Sequence, residues 1–166
     1  MMKTFLTLFI LLFSSSVFAE DISDFEIEGM SIGDSLLDYF SKQEIINNQR
    51  KNWFPDKDGK FKASGFSIDN KSSSYEGINV YYKSNDNNFI IESIDGFIIY
   101  ENNIKECYLK KEEVFEILSN LFKDVNWESS QYEDKMGEFT STFLTFKSED
   151  RISIQCTDWN KKTEKE

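Results

Sequence analysis

The sequence predicts an α+β domain in which two amphipathic helices pack on antiparallel sheet. Three observations carry this. A five-residue apolar stripe at helical spacing stands in the second half of the chain, and runs of two-residue alternation flank it on both sides. The order helix, strands, helix, strands lacks the strict alternation that builds a parallel sheet. The third observation is composition: at 39 % hydrophobic and 16 % aromatic residues, apolar side chains are numerous enough to drive folding despite the acidity.

The N-terminus comes first. Met1, Met2 and Lys3 precede an apolar run over residues 5–13, followed by Ser14, Ser15, Ser16, Val17, Phe18 and Ala19. A positive charge, a short apolar stretch and a small residue at the cut are the three regions of a signal peptide. A membrane-spanning helix needs about 20 predominantly apolar residues, and this run is less than half that and is broken by Thr7. No cysteine follows at the cut, so no residue is available for lipidation. The expectation is a signal peptide over 1–19, one α+β domain over 20–159, and a charged tail without apolar residues over 160–166.

Ser31 and Asp34 are spaced as a capping box ahead of Leu36, Leu37 and Phe40, which predicts a first helix over residues 32–40. A second box, Ser41 with Glu44, starts a short turn carrying Ile45 and Ile46. Asp58-Gly59 reads as a turn ahead of a strand near Phe61. Phe66 and Ile68, then Ile78, Val80 and Tyr82, alternate as half-buried strands do. A longer β-rich run over residues 89–100 is interrupted at Asp95-Gly96, and the pair fits either a tight turn or a bulge.

The better helix follows. Val114, Ile117, Leu118, Leu121 and Phe122 fall at i, i+3, i+4, i+7 and i+8, with Glu112, Glu113, Glu116, Ser119 and Lys123 opposite, so the stripe is expected to face the core. Residues 139–146 and 151–157 then form a hairpin through Ser148, Glu149 and Asp150, with Ile152, Ile154 and Cys156 on one face. The stretches Val80 to Asp86 and Leu144 to Asp150 share a pattern of aromatic, lysine, serine and aspartate before a β-rich run. A duplicated helix-plus-strands unit would account for both.

Cys107 and Cys156 are the only cysteines. An exported chain favours pairing them, and on the chain-entropy model a loop of that length is worth roughly 4 kcal/mol. A reactive thiol is disfavoured because there is no Cys-x-x-Cys pair and no histidine to act as its base.

The phrase Ile27, Glu28, Gly29, Met30, Ser31, Ile32, Gly33, Asp34, Ser35, Leu36, Leu37, Asp38, Tyr39, Phe40 resembles one shared by a family of small secreted bacterial proteins without assigned activity. The later Ser93, Ile94, Asp95 and Gly96, with Tyr100, Asn103, Ile104 and Cys107, resemble the same group. The resemblance implies a genuine secreted domain and brings no catalytic or binding residues. A looser analogy, through the possible doubled unit, is to the β-lactamase-inhibitor-like fold, whose members bind proteins.

Chemistry is narrowed by what is missing. Without histidine, Ser-His-Asp and Cys-His catalysis and histidine-built zinc or haem sites are excluded. No phosphate-binding Gly-rich loop is present. Aligning Gly59 with the sixth position of a calcium loop places Phe54 and Gly65 where acidic oxygens are required, so no EF-hand is expected. Asn70-Lys71-Ser72 is a sequon of the kind that arises by chance.

Loss of the first 19 residues removes one lysine and no acid, leaving 18 basic and 30 acidic side chains and a formal charge of −12. Nucleic acid is then a poor partner, because phosphate backbones demand clustered cations. The chain is expected to be a periplasmic or extracellular binding protein without catalytic activity, metal or cofactor, whose partner is another protein or an envelope component. The alternative is a carboxylate-dependent hydrolase of cell-envelope glycans, which needs two acids flanking a sugar bond. Trp53 and Phe54, in a polar stretch beside Arg50 and Lys51, are the candidate binding residues: they either present an aromatic anchor with local positive charge or fold back over a sheet edge.

Overall fold

The computed structural model describes Ile22 and residues 25–50, 58–68, 74–101, 103–123 and 125–159. The expected signal peptide and charged tail lie outside these. Strands β1 (Phe61–Ser67), β2 (Gly77–Lys83) and β3 (Ser93–Phe97) form one antiparallel sheet in that order. Strands β4 (Trp127–Glu133), β5 (Gly137–Thr145) and β6 (Arg151–Trp159) form a second, again in order and antiparallel. A short helix α1 (Lys42–Asn47) precedes the first sheet, and a long helix α2 (Ile104–Leu121) precedes the second. The α+β class holds, but its packing differs from two amphipathic helices on a sheet.

The first expected helix is the main correction. Gly33 adopts φ 94°, and its N–H bonds to the Ile91 carbonyl at 2.8 Å. The Ile91 N–H in turn reaches the Asp34 carbonyl at 2.9 Å, and the Leu36 N–H reaches the Phe89 carbonyl at 3.0 Å. Peptide groups that a helix would satisfy internally are therefore paired with the segment ahead of β3. The Asp34 carboxylate accepts from the Ser31 N–H at 2.9 Å and the Tyr39 hydroxyl at 2.6 Å. Only Leu36–Asp38 coils, as a 3₁₀ turn capped by Ser35. By contrast the Ser41–Glu44 box forms in full and starts α1, which buries Ile45.

Asp95-Gly96 is neither turn nor bulge. Asn79 pairs with Asp95 and Ile78 with Gly96 in unbroken register. Glycine is required at 96 because the Tyr75 ring occupies the space a Cβ would take.

Helix α2 starts at Ile104, so Cys107 lies inside its first turns. Leu118 and Phe122 are buried and Val114 packs beside them, while Ile117 and Leu121 are 55 % and 52 % exposed. The stripe expected to be core is thus only partly so. Cys107 is joined to Cys156 of β6, with Cα atoms 5.9 Å apart, which pins the helix to the last strand of its sheet.

Among the described residues two hydrophobic clusters result. The first gathers Met30, Leu36, Ile45, Phe66, Ile78, Val80, Tyr82, Phe89 and Ile91, with Phe40 stacked on Phe66. The second gathers Ile22, Leu118, Phe122, Leu144 and Ile152, with Trp127 and Phe146 against it. The N-terminal segment feeds both: Ile27 and Met30 join the first, Ile22, Phe25 and Ile32 the second. The two similar sequence stretches occupy corresponding places, each at the end of a middle strand, β2 or β5, and the start of its link to the third. Val80 and Leu144, at equivalent points in those stretches, are both 0 % exposed.

Candidate functional site

Residues on the face of the first sheet opposite its core follow from register. Gly65, Asn79 and Asp95 form one cross-strand row and Ala63, Tyr81 and Ser93 the next. Arg50 is held over the first row. Its N–H bonds to the Ala63 carbonyl at 2.9 Å, the Gly65 N–H bonds to the Asn48 carbonyl at 3.0 Å, and Gln49 bridges to Ser64. The guanidinium then fills the space a Cβ on Gly65 would need. Of the four residues singled out from sequence, Arg50 is placed here. Lys51, Trp53 and Phe54 lie outside the described residues.

Asn79 Nδ2 donates to Asp95 Oδ2 at 2.8 Å, and the Tyr81 hydroxyl also bonds to Asp95. Burial pushes the Asp95 carboxyl above the ordinary carboxylate range, opposed by those two hydrogen bonds. Burial first, then the negative charge of Asp95, holds the Tyr81 phenol well above its usual value. Asn79 is 1 % exposed, and its Oδ1 has no hydrogen-bond partner. Beside this cluster lies an open depression of about 280 Å³ lined by Phe61, Tyr81, Glu92 and Ser93. Glu92 is paired with Lys83 at 2.7 Å. Glu92, the acid among the lining residues, is thus engaged by Lys83, and Asp95 of the neighbouring row by Asn79 and Tyr81, which is a poor arrangement for an acid and base acting on a sugar bond.

The second sheet presents a different outer face. Its rows read Glu128, Phe143, Ser153, then Ser130, Ser141, Gln155, then Tyr132, Phe139, Thr157, with Gly137 opposite Trp159 at one end and Thr145 opposite Arg151 at the other. Leu144, Ile152 and Cys156 point the other way, toward α2. Phe139 is buried between two more exposed rings. Tyr132 stacks on it with centroids 4.7 Å apart, and Trp159 meets it edge-on at 5.8 Å. Tyr132 and Trp159 remain 51 % and 38 % exposed. The Ser130 and Ser141 hydroxyls are 3.1 Å apart, and Gln155 donates to Thr157 at 3.1 Å. Arg151 lies over the Phe143 ring at 4.3 Å.

Sequence reasoning missed this face because it missed β4. The run Trp127, Glu128, Ser129, Ser130, Gln131, Tyr132, Glu133 has no apolar alternation. The available signal was the turn after it, where Asp134 Oδ1 accepts from the Met136 and Gly137 N–H groups at 2.7 and 3.3 Å, as short acidic side chains do in turns.

Among the described residues no group of three or more acids and cysteines is placed to hold a metal ion, and no helix is long and apolar enough to cross a membrane. No family model matches the chain, nor does any curated protein or solved structure.

Proposed function

We propose that the chain is an exported, non-catalytic binding protein whose working surface is the outer face of the second sheet. The observation that carries this is the pair of exposed rings, Tyr132 and Trp159, held on either side of buried Phe139. Rigid aromatic area offered on a sheet supplies contact surface at little entropic cost. Export is supported by the charged, apolar and small-residue order of residues 1–19 and by the Cys107–Cys156 bridge. Membership in the secreted family carrying the Ile27 to Phe40 phrase belongs to the same proposal, as does duplication of a helix-plus-three-strand unit, which the paired element orders and the corresponding turns support.

The test is affinity capture from periplasmic extract and culture medium with the mature protein beside a Tyr132→Ser, Trp159→Ser double variant. Material held by the parent and released by the variant is the expected result. Equal retention by both would move the working surface elsewhere.

A further inference from the structure

Resting on the proposal that this face binds, we infer that its ligand is an uncharged glycan chain. The charge distribution argues first. The chain carries a formal −11, yet the three cross-strand rows and the two end pairs hold one acid, Glu128, and one base, Arg151, and Arg151 lies over Phe143. A face selected for an anion or a cation would carry a surplus of the opposite sign.

The distribution of chemistry argues second. A sugar ring has C–H faces that lose water favourably against an aromatic ring, and hydroxyl edges that both donate and accept. The face supplies both kinds of partner in adjacent rows: Tyr132 and Trp159 in one region, then the hydroxyls of Ser130, Ser141 and Thr157 and the amide of Gln155. Ser130, Ser153 and Gln155 are exposed, so their polar groups stand open to the hydroxyls of a ligand.

Length argues third. From Phe139 to Phe143 the track runs four residues along β5, which at about 3.4 Å each is roughly 14 Å. That extent suits a chain of several rings better than a free monosaccharide.

The experiment titrates the full mature protein with two uncharged β-linked probes, chitohexaose and cellohexaose, by calorimetry and tryptophan fluorescence. Saturable binding of at least one is expected below about 1 mM, changing by less than about twofold between low and high salt because no ion pair is made. Trp159→Ala and Tyr132→Ala, each checked for native circular dichroism, should weaken it by about tenfold or more. Ile117→Ala, on the exposed side of α2, should leave it unchanged. Absence of binding by both probes, while the double variant still loses material in the capture experiment, overturns the glycan inference and leaves the binding face standing. Captured material destroyed by protease and untouched by periodate does the same. Probe binding indifferent to Trp159 and Tyr132 overturns both.

Discussion

The two sheets share an order of strands and differ in what they do with their outer faces. On the first, Ala63, Gly65, Gly77 and Asn79 are buried, and the Arg50 guanidinium and the Phe97 ring fill the places where glycine leaves no side chain. On the second, serines, a glutamine and two aromatic rings face outward. The same meander is therefore covered in one case and left partly open in the other: Gly77 and Asn79 of β2 are buried, while Ser141 and Phe143 of β5 stay partly exposed. On the first sheet Asn79 and Tyr81 both bond to Asp95 beneath this cover, whereas on the second the Ser130–Ser141 and Gln155–Thr157 pairs lie exposed to water.

The largest expected effect tests how far each sheet stands alone. Cys156→Ser should cost roughly 4 kcal/mol by denaturant unfolding, with amide exchange in β4–β6 accelerated far more than in β1–β3. Equal loss in both sheets would show that the bridge secures the whole chain and not its own half. Next come Leu36→Ala and Leu144→Ala, one from each cluster and both 0 % exposed. Each should cost about 2–5 kcal/mol, and prior reduction should deepen the effect of the second alone.

A smaller effect sharpens the contrast in polar burial. The folded pKa of Asp95 is raised above 3.8 by burial, so its contribution is fully present below that value and declines as pH rises through the folded pKa. Asp34, Glu44 and Asp86 have folded values lowered by hydrogen bonds and act oppositely, losing their contribution as pH falls through those values. Asp95→Asn should therefore flatten the decline of stability with rising pH above about 4, measured by denaturation at a series of pH values. An unchanged slope would mean that Asp95 ionises in the folded protein as it does in the unfolded chain. The smallest effect belongs to the open face: Tyr132→Ala should lower stability by about 1 kcal/mol or less, read from the denaturant midpoint. A loss of several kcal/mol would make the ring part of the core and not of a platform.

How much was legible follows the same divide. Where side-chain pattern alone decides, as at Ile78, Val80 and Tyr82 or in the hairpin closing at Thr145 and Arg151, the strands lie where alternation puts them. The Ser41–Glu44 cap formed as spaced. The similar Ser31–Asp34 spacing did not start a helix, because Gly33 turns the chain so that its peptide groups pair with residues 89–91, a long-range partner that no local window contains. The phrase from Ile27 to Phe40 is structural in content: Glu28 and Gly29 with positive φ close a two-residue turn between Ile27 and Met30, and Tyr39 ties Gly29 to Asp34. Of the candidate site, Arg50 was visible as a charge beside aromatics, but its seat on Gly65 depends on strand register. The open face escaped notice because exposed strands need no apolar period.

The segment holding Ile22, Phe25 and Ile32 has a consequence for the order of assembly. Ile22 stands 96 positions before Leu118, yet both belong to one cluster. Closing so long a loop is entropically slow. Ile22 and its neighbours must therefore wait, unpacked, until the helix and strands that receive them are in place. A lesion at Ile22 would then be felt in the far sheet and in its aromatic platform, and the near sheet could reach its native form while the molecule as a whole was still unfinished.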